Sequence, residues 1–390
     1  MRRSWTDEEG EEEEEYSPIQ QKRNKFSSPN KSTNKSPNKS PNKGSFYNKF
    51  PFITPEKNSA SNNSNSLNKT ANISSFLSSS SESSSYHPPR TLDDYEILDV
   101  LGSGAQGRVS KARVKETGEI IALKEIYLPK GDSSINDNAT REANALKQIK
   151  CHDFIACYFG NYDDVIHNVF LIEMEYIPGK TLDAWSTEYL LHRTEIDFYQ
   201  KLVYIMYDLC IALEIIHKQG FIHRDIKPYN IVILSEPITK KIEENGVEIE
   251  KTIPKNTPQI VDFGLVCSAK VCDGDECCKD KIGTPAFMPP ETIIKGESFF
   301  VSDIWSLGAT IFYVANPNNR YVFRLDKNSN TNNLNDVING LNQGILRLNT
   351  SNNTLNKAVN SCLTYNYKNR PTSTQLIKML EPYIKQRKNI

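Results

Sequence analysis

Apolar and polar positions change rhythm along this chain at about Leu92. Residues 1–91 are dominated by Ser, Asn, Lys and Pro, with few aliphatic side chains. Such a segment cannot bury enough apolar surface to offset its ordering entropy, so a disordered tail is expected. Between Ser28 and Lys43 it repeats a tetrapeptide four times, three copies reading Ser-Pro-Asn-Lys and one Ser-Thr-Asn-Lys. Four residues are too few for a packing unit, so this is low-complexity sequence and not a solenoid. From Leu92 onward the apolar residues recur at structural periods. Tyr95 to Leu101 reads as a strand, and a second strand-like run begins at Val109. A turn at Glu116-Thr117-Gly118-Glu119 leads into Ile120-Ile121-Ala122-Leu123-Lys124. Ala139, Ala143, Leu146 and Ile149 follow at helical spacing, with Glu142 beside that face. A further strand covers Val169 to Ile177. A long helix is expected from about Asp197 to Lys218, with Leu202, Ile205, Leu209, Leu213 and Ile216 on one face and Gly220 closing it. A short apolar strand, Ile260-Val261, ends at Asp262.

Composition narrows the class. A chain of 390 residues with 37% hydrophobic content can bury one sizeable core. The formal charge of -1 argues against a general nucleic-acid or membrane binder. That value hides a split: eight acids against Arg2 and Arg3 in residues 1–15, then ten basic residues against Glu56 and Glu82 in 16–89. Eight unevenly spaced cysteines do not form a secreted disulfide framework. No apolar leader opens the chain, and no apolar run reaches the roughly 20 residues a bilayer span needs. The expectation is a soluble intracellular protein.

Chemistry concentrates at five places. Leu101 leads into Gly102-Ser103-Gly104-Ala105-Gln106-Gly107-Arg108-Val109. A dinucleotide-binding turn would need a helix straight after such glycines. Strand residues follow instead, so a glycine-rich hairpin draping backbone amides over phosphates fits better, glycine allowing the close approach. Lys124 ends the apolar Ile-Ala-Leu run, where a partner such as Glu142 is expected. Phe221 to Val232 holds Asp225, Lys227 and Asn230, and Pro228 stops any helix through them. Asp262-Phe263-Gly264 lies 37 residues beyond Asp225. Gly283-Thr284-Pro285 and Pro289-Pro290-Glu291 then precede Ser302 to Gly308.

Taken together, these residues resemble the protein-kinase family. His223-Arg224-Asp225-Ile226-Lys227-Pro228-Tyr229-Asn230 looks like its H-R-D-x-K-x-x-N catalytic loop, and four separately spaced motifs agree. The resemblance covers roughly residues 95–384 and is weakest over the Asn-rich stretch 316–356. It implies an α+β, bilobal kinase domain at 92–386, with a mainly-β N-lobe (92–174), a hinge (175–179) and a mainly-α C-lobe (180–386). A polar insert at 235–258, rich in Lys and Glu, interrupts a tight hairpin in that scheme; closure entropy grows only logarithmically, so the fold tolerates it.

The resemblance also implies roles. Lys124, held by Glu142, would bind the α- and β-phosphates of ATP. Leu101, Gly102, Ser103, Gly104, Ala105, Gln106, Gly107, Val109 and Ala122 would enclose the nucleotide. Met174 would be the gatekeeper beside the adenine, with backbone groups of Glu175 and Ile177 on its edge. Asn230 and Asp262, both hard oxygen donors, would hold Mg²⁺, with Mn²⁺ as a substitute. Asp225 would orient the acceptor hydroxyl, Lys227 would sit on the transferring phosphate, and Thr284 would mark Ser/Thr over Tyr substrates. Arg370 is placed to pair with Glu291. The expected function is transfer of the γ-phosphate of ATP to Ser/Thr of protein substrates by a monomer. The alternative is an inactive pseudokinase; such chains lose one of the Lys, Asp or Asp positions, yet all three are present.

Two departures stand out. The position eleven before Glu291, where many relatives carry an activating phosphothreonine, is Asp280, a carboxylate that could pair permanently with Arg224. Cys267, Cys272, Cys277 and Cys278 crowd the same loop. They lack paired C-x-x-C knuckles, so free thiols are expected ahead of a zinc site. Tyr229 and Thr181 occupy positions where kinases favouring basic substrates carry acids, so no strong preference for Arg is implied.

Overall fold

A computed structural model describes residues 90–104, 107–128, 133–244, 246–269, 278–324 and 329–388. The expected tail lies outside the described residues as far as residue 89, and its last two residues belong to the fold instead, Arg90 pairing with buried Glu173 at 2.6 Å and Thr91 N donating to Asp94 at 2.6 Å. The order is β1 (Tyr95–Gly104), β2 (Gly107–Val114), β3 (Ile120–Tyr127), α1 (Ser133–Ile149), β4 (Tyr158–Asp164), β5 (Val169–Glu175), β6 (Gly179–Thr181), α2 (Leu182–His192), α3 (Glu195–Lys218), β7 (Phe221–Ile222) and β8 (Ile231–Leu234). Then come β9 (Ile238–Glu244), β10 (Val247–Ile253), β11 (Pro258–Ile260), β12 (Cys267–Ser268), β13 (Cys278–Lys279), α4 (Pro290–Lys295), β14 (Glu297–Ser298), α5 (Phe300–Ala315), α6 (Leu334–Asn342), α7 (Asn353–Cys362) and α8 (Ser373–Lys388).

The small lobe is an antiparallel five-stranded sheet in the order β1-β2-β3-β5-β4, with α1 against it. Its pairing carries the glycine-rich run into the strands themselves: Gly102 pairs with Val109 and Gly104 with Gly107. The first strand is thus longer than its apolar pattern indicates, because the glycines continue the ladder. Gly107 adopts φ 119°, and a Cβ there would lie 2.1 Å from the Glu125 carbonyl oxygen. Only glycine fits that crossing of β2 over β3.

The large lobe is built on two buried helices. Helix α3 sinks Phe198, Leu202, Ile205, Leu209, Leu213 and Ile216 into the core, and its N-terminus is capped by Thr194 Oγ1 accepting from Asp197 N. Helix α5 is buried from Ser302 to Ala315, a length that only a helix enclosed by others can keep apolar. Arg370 closes the lobe with a buried bidentate pair to Glu291, Nη1 to Oε1 at 2.7 Å and Nη2 to Oε2 at 3.1 Å. The Asn-rich stretch folds by other means. Asn333 and Asn352 cap α6 and α7, while Asn356 and Asn360 bond the backbone at Thr350 and Leu348. Asparagine satisfies loop amides where aliphatic packing is thin.

Two features depart from the sequence reading. The insert is a hairpin of its own, β9 paired with β10 from Ile238↔Ile253 to Glu244↔Val247. The described cysteines pair as Cys151–Cys157 and Cys267–Cys278, leaving Cys210 and Cys362 free and buried. For the second pair, β12 lies on β7 and β13 on β14, which brings the two Cα atoms to 6.4 Å. Two of the four thiols weighed for zinc are thereby spoken for; Cys272 and Cys277 lie outside the described residues.

Candidate active site

The turn from β7 to β8 is held in place before any substrate arrives. Asp303, fully buried on α5, accepts from the amides of His223 and Arg224 at 2.8 Å each and from His217 Nε2 at 2.9 Å. Burial alone raises this carboxyl, but His217 and the His223 amide outweigh it and hold it below the ordinary range. These bonds fix Arg224 at φ 67°, a left-handed conformation that a bulky residue keeps only where its surroundings impose it. Arg224 then donates from Nε to the Leu265 carbonyl at 2.6 Å, and Thr310 bonds the Ile226 carbonyl. The loop is therefore anchored from beneath by one helix.

On this base sits a closed group of polar side chains. Asp225 Oδ1 accepts from Thr284 Oγ1 at 2.8 Å and from Thr284 N at 3.2 Å. Lys227 Nζ bridges Asp225 Oδ2 at 2.7 Å and Thr284 Oγ1 at 2.9 Å. Asn230 donates from Nδ2 to the Asp225 carbonyl at 2.9 Å and to Oδ2 at 3.0 Å. Gly283, at φ 128°, lets Thr284 come this close; a Cβ there would stand 2.9 Å from the Arg224 carbonyl oxygen.

The opposite wall joins Lys124 and Glu142 of the small lobe to Asp262 of the large one. Lys124 Nζ contacts Glu142 Oε1 at 2.6 Å and Asp262 Oδ1 at 3.2 Å, linking β3, α1 and the segment after β11. Burial disfavours this ammonium, but Glu142 and Asp262 more than compensate and keep its pKa above the ordinary value. Burial likewise raises Asp262, yet Lys124 and the Gly264 amide bring it below the usual carboxylate range. The two walls meet where Val261 N donates to the Asn230 carbonyl at 3.1 Å. Asn230 turns its nitrogen to Asp225 and so keeps Oδ1 for other partners. With Asp262 it makes a pair of hard oxygen donors, a set suited to Mg²⁺.

The remaining expected residues lie on β1, β2 and β3 and at or just past the end of β5. Ala122 pairs with Met174 in the sheet, and Ala122, Met174 and Ile177 are buried, with Glu175 half-buried. Leu101, Gly102, Ser103 and Gly104 are exposed on β1, and Val109 is half-buried opposite Lys124. Ala105 and Gln106 lie outside the described residues. Asp303 and His217 carry positional roles that the sequence reading did not assign. Asp303 stood inside the Ser302–Gly308 motif, and a carboxylate in an otherwise apolar helix was the available signal.

The family model for the protein kinase domain matches residues 95–383, and the chain belongs to that family. It is similar to the MAP kinase kinase MKK1/SSP32 of Saccharomyces cerevisiae, 33% identical over 225 residues, which is 57% of this chain and 39% of that protein. It is also similar to the human serine/threonine-protein kinase Nek2, 29% identical over 57% of this chain and 46% of the relative. The serine/threonine-protein kinase pakF of Dictyostelium discoideum is 32% identical over 57% of this chain and 16% of its own length. The matched region is thus less than half of each of these relatives. Among the described residues no helix is long and apolar enough to cross a membrane.

Proposed function

We propose that this protein is an active serine/threonine protein kinase that moves the γ-phosphate of ATP to hydroxyls of protein substrates. The observation that carries the reading is the run of contacts linking Lys124, Asp262 and Asp225: Lys124 Nζ stands 3.2 Å from Asp262, the neighbouring Val261 N bonds the Asn230 carbonyl, and Asn230 bonds Asp225. Phosphoryl transfer needs positioning and charge neutralisation more than covalent chemistry. Lys124 and the amides of the β1–β2 hairpin would hold the phosphates, and Glu175 and Ile177 the adenine edge. Asp225 would take the acceptor proton, while Lys227 neutralises charge that develops on the transferred group. Asn230 and Asp262 would hold Mg²⁺, which when bound screens the phosphate charges. Thr284, bonded to both Asp225 and Lys227, supports Ser/Thr specificity by closing the acceptor side. No observation favours a pseudokinase.

Asp280 adds a regulatory element to the reading. Its Oδ2 lies 3.8 Å from Arg224 Nη1, beyond hydrogen-bond reach yet within ion-pair range. We read it as a permanent but weak substitute for a loop phosphate. Near the catalytic loop, Tyr229 bonds Tyr313 at 3.0 Å, and Arg320 lies over the Tyr313 ring at 4.8 Å. Arg320 also pairs with Asp183 at 2.7 Å, so that acid is already occupied, which supports the absence of a strong preference for Arg beside the phosphosite. The remaining parts of the proposal are a monomer acting inside the cell, where ATP is abundant, with no nucleic-acid partner given the net charge of -1.

Incubation with γ-labelled ATP, Mg²⁺ and a peptide library tests the proposal. Label is expected on Ser and Thr, and Lys124→Met should cut it by about 10² or more, since orientation effects of this kind are large. Binding of ATP without transfer would favour a pseudokinase, and label on lipid but not peptide would exclude a protein kinase.

A further inference from the structure

The phosphate chemistry has no use for the hairpin β9–β10, yet that hairpin carries a lysine whose side chain is completely buried. Along β9, Ile238, Lys240 and Ile242 face inward while Thr239, Lys241 and Glu243 face outward, the period-2 alternation of a strand lying on a core. An ammonium on the inner face demands partners, and Lys240 Nζ has four acceptors for three protons. They are Gln259 Oε1 at 2.7 Å, Glu175 Oε2 at 2.8 Å, the Ile155 carbonyl at 3.0 Å and the His152 carbonyl at 3.2 Å. Burial pulls this amine below its ordinary pKa, and Glu175 opposes that pull.

Glu175 is the last residue of β5, where the chain leaves the small lobe. Its carboxylate also accepts from Cys157 N at 3.1 Å, and its own amide donates to the Cys157 carbonyl at 2.8 Å. A second contact is apolar and independent of the first. Ile253 of β10 shares a buried cluster with Ile177, Ala156 and Leu234. The hairpin thus meets Glu175 by charge and shares a buried apolar cluster with Ile177, the two residues whose backbone is assigned to the adenine edge. Its outer edge is fastened by Lys251 to Asp153 at 2.7 Å and by Glu243 to Lys150 at 2.6 Å.

We propose that the insert splints the hinge, and that Lys240 is a positioning residue which, through Glu175, sets affinity for the nucleotide and leaves the rate of transfer alone. This rests on the reading of Glu175 and Ile177 as the adenine edge. A polar loop inserted without function would keep its lysines in water; this one spends a buried charge on a strand end next to the cleft.

Steady-state kinetics with ATP and peptide varied separately, alongside direct MgATP binding, test it. Wild-type binding to MgATP checks the underlying reading first; no binding would remove that reading and this inference together. If wild type binds, Lys240→Met should raise KM for ATP and Kd for MgATP by about fivefold, within the range of couplings between contacting residues. Its kcat and its KM for peptide should stay within about twofold. Adding Glu175→Gln to Lys240→Met removes the stranded carboxylate and should recover most of the affinity. Lys241→Met, outward on the same strand, should match wild type. A folded Lys240→Met with unchanged KM for ATP, or with a loss confined to kcat, overturns the proposal. Should Lys240→Met fail to fold, hydrogen exchange on the wild-type protein decides. MgATP must then slow exchange in 238–244 together with 175–177, and protection of the hinge without the hairpin overturns the splint.

Discussion

At the scale of single residues, the cleft shows how a few buried charges can be kept where bulk apolar packing would expel them. Lys124, Glu142 and Asp262 satisfy one another, and so do Asp225, Lys227, Asn230 and Thr284, so that neither group leaves an orphan charge. Asp303 is the case where structure adds most. Its carboxylate holds two loop amides and a histidine, and removing it leaves those donors unpaired. Asp303→Asn is expected to cost about 3 kcal/mol, the scale for breaking a buried charged contact, and to slow transfer by loosening His223 and Arg224. The pH dependence has a definite sign. A carboxyl depressed in the folded state stabilises the fold above its unfolded pKa of about 3.9, and that contribution is lost as pH falls below it. Urea denaturation of wild type at pH 7, 5 and 3.5 should show extra loss at the lowest value, and Asp303→Asn should show a smaller one. Equal pH slopes would contradict the assignment. The sequence made the cleft residues legible because each stands in a short motif at a telling distance from the next. Asp303 was legible only as part of a motif, since which backbone amides it meets is decided by how α5 lies under the loop.

At the scale of elements, periodicity located most strands and helices, and tertiary pairing fixed their ends. The first strand ran past Leu101 to Gly104 because the glycines pair across the hairpin. The insert is polar in composition, yet Asn245-Gly246 between Ile238 and Ile242 on one side and Ile249 and Ile253 on the other is a strong hairpin signal. Its buried lysine concealed it, since a Lys at an inward position looks like surface until its acceptors are known. The joining of Cys267 to Cys278 depended on β12 and β13 finding separate partner strands, which spacing alone does not encode. Asp280 belongs here as well, because it ties the segment after β13 to the catalytic loop. The Arg224 side chain is buried but Asp280 is exposed, so at 3.8 Å the pair is long and open to water on one side, and weak, on the order of 0–1 kcal/mol. Asp280→Ala should therefore lower kcat by no more than about fivefold, and phosphatase treatment of wild type should leave activity unchanged. Phosphatase-sensitive wild type together with an unaffected Asp280→Ala would rule out the substitute-phosphate role.

At the scale of the whole molecule, a five-stranded sheet and a helical lobe bring residues from across the chain to one cleft. Lys124 and Asp262 are 138 residues apart and meet at 3.2 Å. Asp225 and Thr284, 59 apart, meet at 2.8 Å. The proposed division of labour gives Lys124 and Asp262 to the nucleotide and Asp225 to the acceptor. The decisive measurement reads both functions on one variant, MgATP binding and phosphate transfer by Asp225→Asn. The account predicts nucleotide affinity within about twofold of wild type and kcat reduced by about 10² or more, the range for a positioned acid–base group. Full transfer activity in Asp225→Asn, or loss of nucleotide binding in step with activity, would contradict it.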